Sequence, residues 1–244
     1  MSRSLIRLTL ITVAMATLAA APLAAAEREL TPLDTKLSDA AIDARIRFIE
    51  ERLDASKTHG QIWYWSWLSV NSVSAVGLGV FAGLADNKDD RVNNGVNAGI
   101  AALGVVDVLF RPLQARLGAS PVSGLPEETR EEKIDKLRAS EALLQANAER
   151  AEERTDWRMH AGSLALAGAA GLAIGLAGDP VDAAISAAAN AIGGVVYLLS
   201  APAVPAADWR DYQKMTGKDV ATADIRLSVN MLPGGGRLGL AYTW

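Results

Sequence analysis

From residue 39 onward the apolar positions of the chain step by three and four. Ile42, Ile46, Ile49 and Leu53 fall on one stripe, which predicts an amphipathic helix over Asp39–Thr58. Arg45, Arg47, Glu50, Glu51 and Arg52 fill its other faces, the pattern of a solvated helix surface. The stripe then widens to the whole circumference. Residues 61–85 carry no formal charge, and a helix of about 20 apolar residues is enough to cross a bilayer. A polar tip follows over residues 86–91, and Val92 to Phe110 runs back, ending at Arg111-Pro112. Ahead of this unit, residues 27–37 show no period and contain Pro32, so they read as extended.

The same programme is then written again. Residues 127–154 predict a charged helix with Ile134, Leu137, Leu144, Ala148 and Ala151 on its apolar stripe. Trp157 to Gly178 is hydrophobic after Arg158, Asp179 to Asp182 forms a tip, and Ala183 to Ser200 returns before Pro202 and Pro205. Trp65 aligns with Trp157, and Gly79, Gly83, Leu84 and Ala85 align with Gly171, Gly175, Leu176 and Ala177. Past a small deletion at the tip, Gly104-Val105-Val106 aligns with Gly194-Val195-Val196, and Pro112 with Pro202. Self-similarity at so long a period predicts two copies of one supersecondary unit, packed about a pseudo-two-fold axis.

Near the C-terminus the period changes to two. Ile225, Leu227, Val229 and Met231 alternate with polar residues, Pro233-Gly234-Gly235-Gly236 supplies a turn, and Leu238, Leu240, Tyr242 and Trp244 alternate on the return. That is the signature of a β-hairpin. The predicted fold class is therefore mainly α. It has duplicated helical hairpins (four glycine- and alanine-rich hydrophobic helices with two long amphipathic arms) and a small C-terminal β-hairpin. The expected organisation is residues 1–26 as a signal peptide, 27–118 as the first repeat, 119–126 as a linker, 127–212 as the second repeat and 213–244 as a tail.

The signal peptide rests on Arg3 and Arg7, the apolar run from Leu8 to Ala20, and Ala24-Ala25-Ala26 before Glu27. It predicts an exported, cell-envelope location at the outer membrane or on the periplasmic side, with the inner membrane as a further candidate. The chain's net charge of −4 becomes −6 once the signal, with two arginines and no acid, is set aside. An acidic exported chain is a poor nucleic-acid binder. Half of the residues are hydrophobic but only 5% are aromatic, so the apolar mass is aliphatic and small.

Small residues set the expected helix packing. Gly79/Gly83, Gly95/Gly99 and Gly171/Gly175 are G-x-x-x-G pairs, and Gly194 stands with Ser186 and Asn190 at steps of four. Such residues let helix backbones approach closely. Trp63, Trp65, Trp67, Trp157 and Trp209 are expected near one level as interface aromatics. Asn97, Asp107 and Asn190 are polar residues within apolar stretches and are candidates for a polar path.

Catalytic chemistry finds no foothold. There is no cysteine, and the two histidines, His59 and His160, have no metal-ligand spacing. The nucleophile-elbow and phosphate-loop patterns are absent, and no G-x-G-x-x-G stands before a helix; the acidic tip lacks calcium-loop spacing, and adjacent carboxylates such as Glu131-Glu132 point apart on a helix. No enzyme activity, cofactor or metal site is expected.

The last eight residues place Arg237, Gly239, Tyr242 and Trp244 at polar, glycine, aromatic and terminal aromatic positions. This resembles the C-terminal assembly signal of bacterial outer-membrane barrels. The resemblance covers those eight residues and implies recognition by the outer-membrane assembly machinery. A barrel needs about eight strands or more, whereas this tail supplies two. Several subunits pooling hairpins, docking on a partner's sheet edge, and a chance match all remain open. The functional expectation is an exported cell-envelope membrane protein with a structural or assembly role. Its partners would be the lipid bilayer, further copies of itself through glycine-zipper helices, and an envelope protein or the assembly machinery. The alternatives are a pore or transport component and a soluble periplasmic binding module.

Overall fold

A computed structural model describes residues 37–217, and the backbone alone of 224–232 and 235–243. The expected signal peptide lies outside the described residues, and so do the side chains of the expected C-terminal hairpin. The fold is mainly helical.

The first helix, α1 (Asp39–Leu84), is 46 residues long. Ser38 caps it, its side chain accepting from the Ala41 N–H. The sequence predicts an arm and a separate hydrophobic helix here, but no proline interrupts residues 39–84 and the two are continuous. Helix α2 (Lys88–Phe110) returns beside it after Asn87, whose side chain accepts from the Asp90 N–H at 2.7 Å. A 3₁₀ turn (Gln114–Leu117) and a one-turn helix α3 (Ser120–Ser123) form the link to the second half.

Helix α4 (Arg130–Thr155) opens with a capping box. The Thr129 side chain accepts from the Glu132 N–H, and the Glu132 carboxylate accepts from the Thr129 N–H. The second unit is broken where the first is continuous. Asp156 leaves the helical region, ends α4, and caps α5 (Trp157–Ala177) by accepting from the Arg158 N–H at 2.7 Å. Asp179, followed by Pro180 in the first turn, starts α6 (Pro180–Leu199). A last helix, α7 (Val204–Met215), is one the sequence reading missed. Pro202 and Pro205 look like breakers, yet Pro205 occupies the first turn of α7, where a missing N–H breaks no bond.

Two bodies result. The N-terminal half of α1, with α4 and α7, forms a helical base whose core is Ile42, Ile46, Ile49, Leu53, Leu137, Leu144 and Tyr212. The predicted stripes supply all of these but Tyr212, and Ala119 and Val122, from the link, complete the core. Each aliphatic side chain so buried contributes about 1.5–3 kcal/mol. At the rim, Lys136 is 4% exposed and bonds Glu127 at 2.6 Å and Glu50 at 3.3 Å. Burial disfavours its charge, but the two carboxylates outweigh that and hold the ammonium above its ordinary value.

The second body is the pair of hairpins, α1 C-terminal half with α2, and α5 with α6, joined through α2 against α5. Four helices are long and apolar enough to cross a membrane. At 1.5 Å per residue, α2, α5 and α6 reach about 30–35 Å, matching a hydrocarbon core of about 30 Å.

Candidate functional site

Where the base meets the hairpins, charge is gathered inside the protein. Arg154, at the end of α4, is 2% exposed. Its guanidinium donates to Asp107 Oδ2 at 3.2 Å, to the Tyr197 hydroxyl at 3.0 Å and to the Arg111 carbonyl at 2.8 Å. It also lies over the Trp63 ring, 4.6 Å from its centroid, and near the Tyr197 ring at 5.2 Å. Tyr197 in turn donates to Asp107. Arg111 bonds Asp107 Oδ1 at 3.3 Å and pairs with Glu153. Five elements therefore converge on one node: α1, α2, the segment after α2, α4 and α6. Asp107 and Trp63 are the members that the sequence singled out, Asp107 for a polar path and Trp63 as an interface aromatic. The Asp107 carboxylate accepts from two arginines and a phenol.

A second polar array joins the repeats along the hairpins. Asn97 Nδ2 donates to Asn93 Oδ1 at 2.9 Å and to Ser186 Oγ at 3.1 Å. Ser186 donates to Asn93 Oδ1 at 2.7 Å, and Asn190 donates to Asn97 Oδ1 at 2.8 Å. Asn97 and Asn190 are thus brought together as partners, and Asp107 belongs to a different cluster. Asn93, absent from the sequence reading, completes the array. Its only signal was its spacing of four from Asn97.

The glycines divide by repeat. A Cβ on Gly171 would lie 2.8 Å from the Ala187 Cβ, and one on Gly175 would lie 3.2 Å from the Ala183 Cβ. In the first repeat, a Cβ on Gly79, Gly83 or Gly99 would meet nothing within 4 Å, and one on Gly95 only the Ala82 Cβ at 3.9 Å. For the G-x-x-x-G pairs, close packing inside the chain therefore holds in the second hairpin and not in the first. The alignment explains the difference. Ala183 and Ala187 correspond to Asn93 and Asn97, which turn to Ser186 and Asn190 of the other repeat instead of covering Gly79 and Gly83. A deeper equivalence survives: Gly104 faces the Asn71 side chain and Gly194 faces Ser163. These are matched positions in the two copies.

The tryptophans divide as well. Trp65 is 61% and Trp157 70% exposed on the outer surface, as an aromatic belt requires. Trp63 is buried, donates to the Tyr197 carbonyl at 3.2 Å and packs on the Tyr197 ring. Trp67 donates to Ser200 Oγ at 3.0 Å. Trp209 is stacked on Tyr212 against the core of the base. That core is level with Phe48 and Arg52, about 16–22 Å before Trp63 along α1, so Trp209 does not lie at the Trp63 level. Outside the second hairpin runs a shallow apolar groove lined by Gly168, Leu172, Gly175, Leu176, Pro180 and Ala184. Among the described residues no group of three or more His, Asp or Glu could hold a metal ion. The terminal motif residues Arg237, Gly239, Tyr242 and Trp244 have no described side-chain surroundings.

No protein-family model, curated protein or solved structure matches this chain. The class that fold and site define is a mainly helical protein with four helices long and apolar enough to span a membrane.

Proposed function

We propose that this chain is an exported cell-envelope membrane protein with a structural or assembly role, held in the bilayer by its two hairpins. One observation carries the reading: the outward face of the first hairpin is apolar and uncovered. Val73, Val76, Val80, Phe81 and Leu84 are 52–74% exposed in a continuous run, more apolar surface than soluble monomers leave in water. Leu172, Leu176, Ile185 and Ile192 do the same on the second hairpin. Self-association is the natural use of the open Gly79/Gly83 face, because glycine in a helix costs about 1 kcal/mol relative to alanine and the chain's own packing does not use it. The terminal motif supports a place near the outer membrane. The antiparallel backbone ladder from Asp224 opposite Thr243 to Leu232 opposite Gly235 supports a hairpin that a partner sheet or further copies would complete.

The test is separation of inner membrane, outer membrane and soluble periplasm, probing the mature chain with and without Trp244. Recovery in the outer membrane that is lost with Trp244 supports both the membrane reading and the assembly signal. Recovery in the soluble fraction under alkaline wash rejects insertion. A pore is the second reading, favoured by the Asn93–Asn97–Ser186–Asn190 array. Conductance in planar bilayers that is lost in Asn97→Leu supports it, and silent bilayers reject it.

A further inference from the structure

Along α1 one line of positions stays uncovered from the base to the hairpin tip. Arg47 and Gly83 are separated by about ten turns of helix, so they point the same way. Between them the line runs through Glu51, Ile62, Val73, Val76 and Val80, and each of these is exposed. The stretch of α1 apolar enough to cross a membrane contains no buried residue, whereas the other three such stretches are 11–28% buried. The glycines agree with this. A Cβ on Gly77, Gly79 or Gly83 would meet nothing within 4 Å. Lipid tails lie as well against large side chains as against small ones; small residues matter where another helix backbone comes close.

Spacing, charge and area select a second copy of the chain as the cover. From Ile62 to Gly83 exposed positions recur at steps of four and three, the period of paired helices, and β-branched Val73 and Val80 fall where two-stranded pairing favours such residues. On the same line in the base, one turn apart, stand Arg47 and Glu51. Among the described residues neither has an ion-pair partner, while Asp43, Glu50 and Arg52 of the same helix pair with Lys133, Lys136 and Asp208. One free cation and one free anion make the face complementary to itself. The strip from Arg47 to Gly83 is about 54 Å long and about 10 Å wide. Before side chains interdigitate that is roughly 540 Å², the order of the about 800 Å² per partner that a stable dimer buries. Copies inserted by one route run parallel, so a two-fold axis along the membrane normal lays this face on itself.

We propose that two copies of this chain pair in parallel along the exposed face of α1, with Val73, Val76 and Val80 in the seam and Arg47 of each copy facing Glu51 of the other. This rests on the membrane reading above. The test uses the full chain in phosphatidylcholine vesicles, where resistance to alkaline extraction reports insertion; failure there rejects the membrane reading itself. With insertion established, oxidative cross-linking of single cysteines reads the pairing. Val76→Cys and Leu172→Cys replace side chains of equal exposure, 68%, on the first and second hairpins. The expected result is a covalent dimer from Val76→Cys that persists as the chain is diluted in lipid, and none from Leu172→Cys. Equal yields at the two positions, or none at the first, overturn the pairing. Gly83→Leu, at a position open within the chain, should lower the Val76→Cys dimer about tenfold, the cost of one overpacked contact; an unchanged yield overturns the seam. Arg47→Glu should lower it about fivefold, the worth of two exposed ion pairs, and Arg47→Glu/Glu51→Arg should restore it. No loss in the first, or no recovery in the second, overturns the cross-chain pair. Circular dichroism matching the parent chain checks that each variant is folded.

Discussion

Asp107 and Arg154 make the strongest demand at the scale of single residues. Arg154 is almost wholly enclosed, and Asp107 is the anion that makes that burial tolerable. Removing one partner of a buried pair leaves an uncompensated charge. Asp107→Ala is expected to lower stability by about 3 kcal/mol, read as unfolding in mixed micelles. Asp107→Asn keeps acceptors for Arg154 and Tyr197 and should lose less; equal losses would mean that charge is not what matters. Lys136 gives a second residue-scale expectation. Its folded value is raised above 10.5, so its contribution is complete below that pH and is lost as pH climbs through the higher folded value. The parent chain should lose helicity at alkaline pH more steeply than Lys136→Met, measured by circular dichroism. An identical slope would remove the linkage.

Among the elements, the two hairpins test how a repeated sequence is used twice. Gly171→Ala places a methyl 2.8 Å from Ala187, and such overpacking costs about 1–3 kcal/mol. Gly79→Ala, at the matched position, meets open space and gains up to about 1 kcal/mol of helix propensity. Melting temperatures should therefore move in opposite directions. The duplication, the arm stripes and the hairpin boundaries were legible because they are periodicities within one segment. The continuity of α1 and the existence of α7 were not. At the first, Thr58 and Gln61 have the spacing of a capping box, yet the helix runs through them with Gly60 packed on the Arg116 backbone; the second depends on Pro205 falling in a first turn rather than an interior.

Across the whole molecule, the arrangement separates a charged base from acidic tips by the length of the apolar helices. The chain has no cysteine, so single cysteines report cleanly. Under the membrane reading, Lys88→Cys at a tip and Arg130→Cys in the base should react with an impermeant maleimide from opposite sides of sealed vesicles. Reaction from the same side would contradict a transmembrane hairpin. The partition of candidate site residues also belongs to this scale. Asn97 and Asn190 lie 93 residues apart and meet, while Asp107, ten residues from Asn97, serves another cluster.

The sequence by itself determined the helical class, the two hairpins, the apolar stripes of the base and the absence of familiar catalytic spacings. Each of these is a property of neighbours within a few turns, which the 3.6-residue period exposes. Only the tertiary structure decided which glycines are covered, which tryptophans face outward, and that Arg154 closes over Asp107. Those outcomes depend on the rotation of each helix about its axis against helices distant in the chain. In helices that are apolar around most of their circumference, no local pattern fixes that rotation. It is set by a few cross-helix contacts, Asn97 with Asn190 and Arg154 with Asp107 among them.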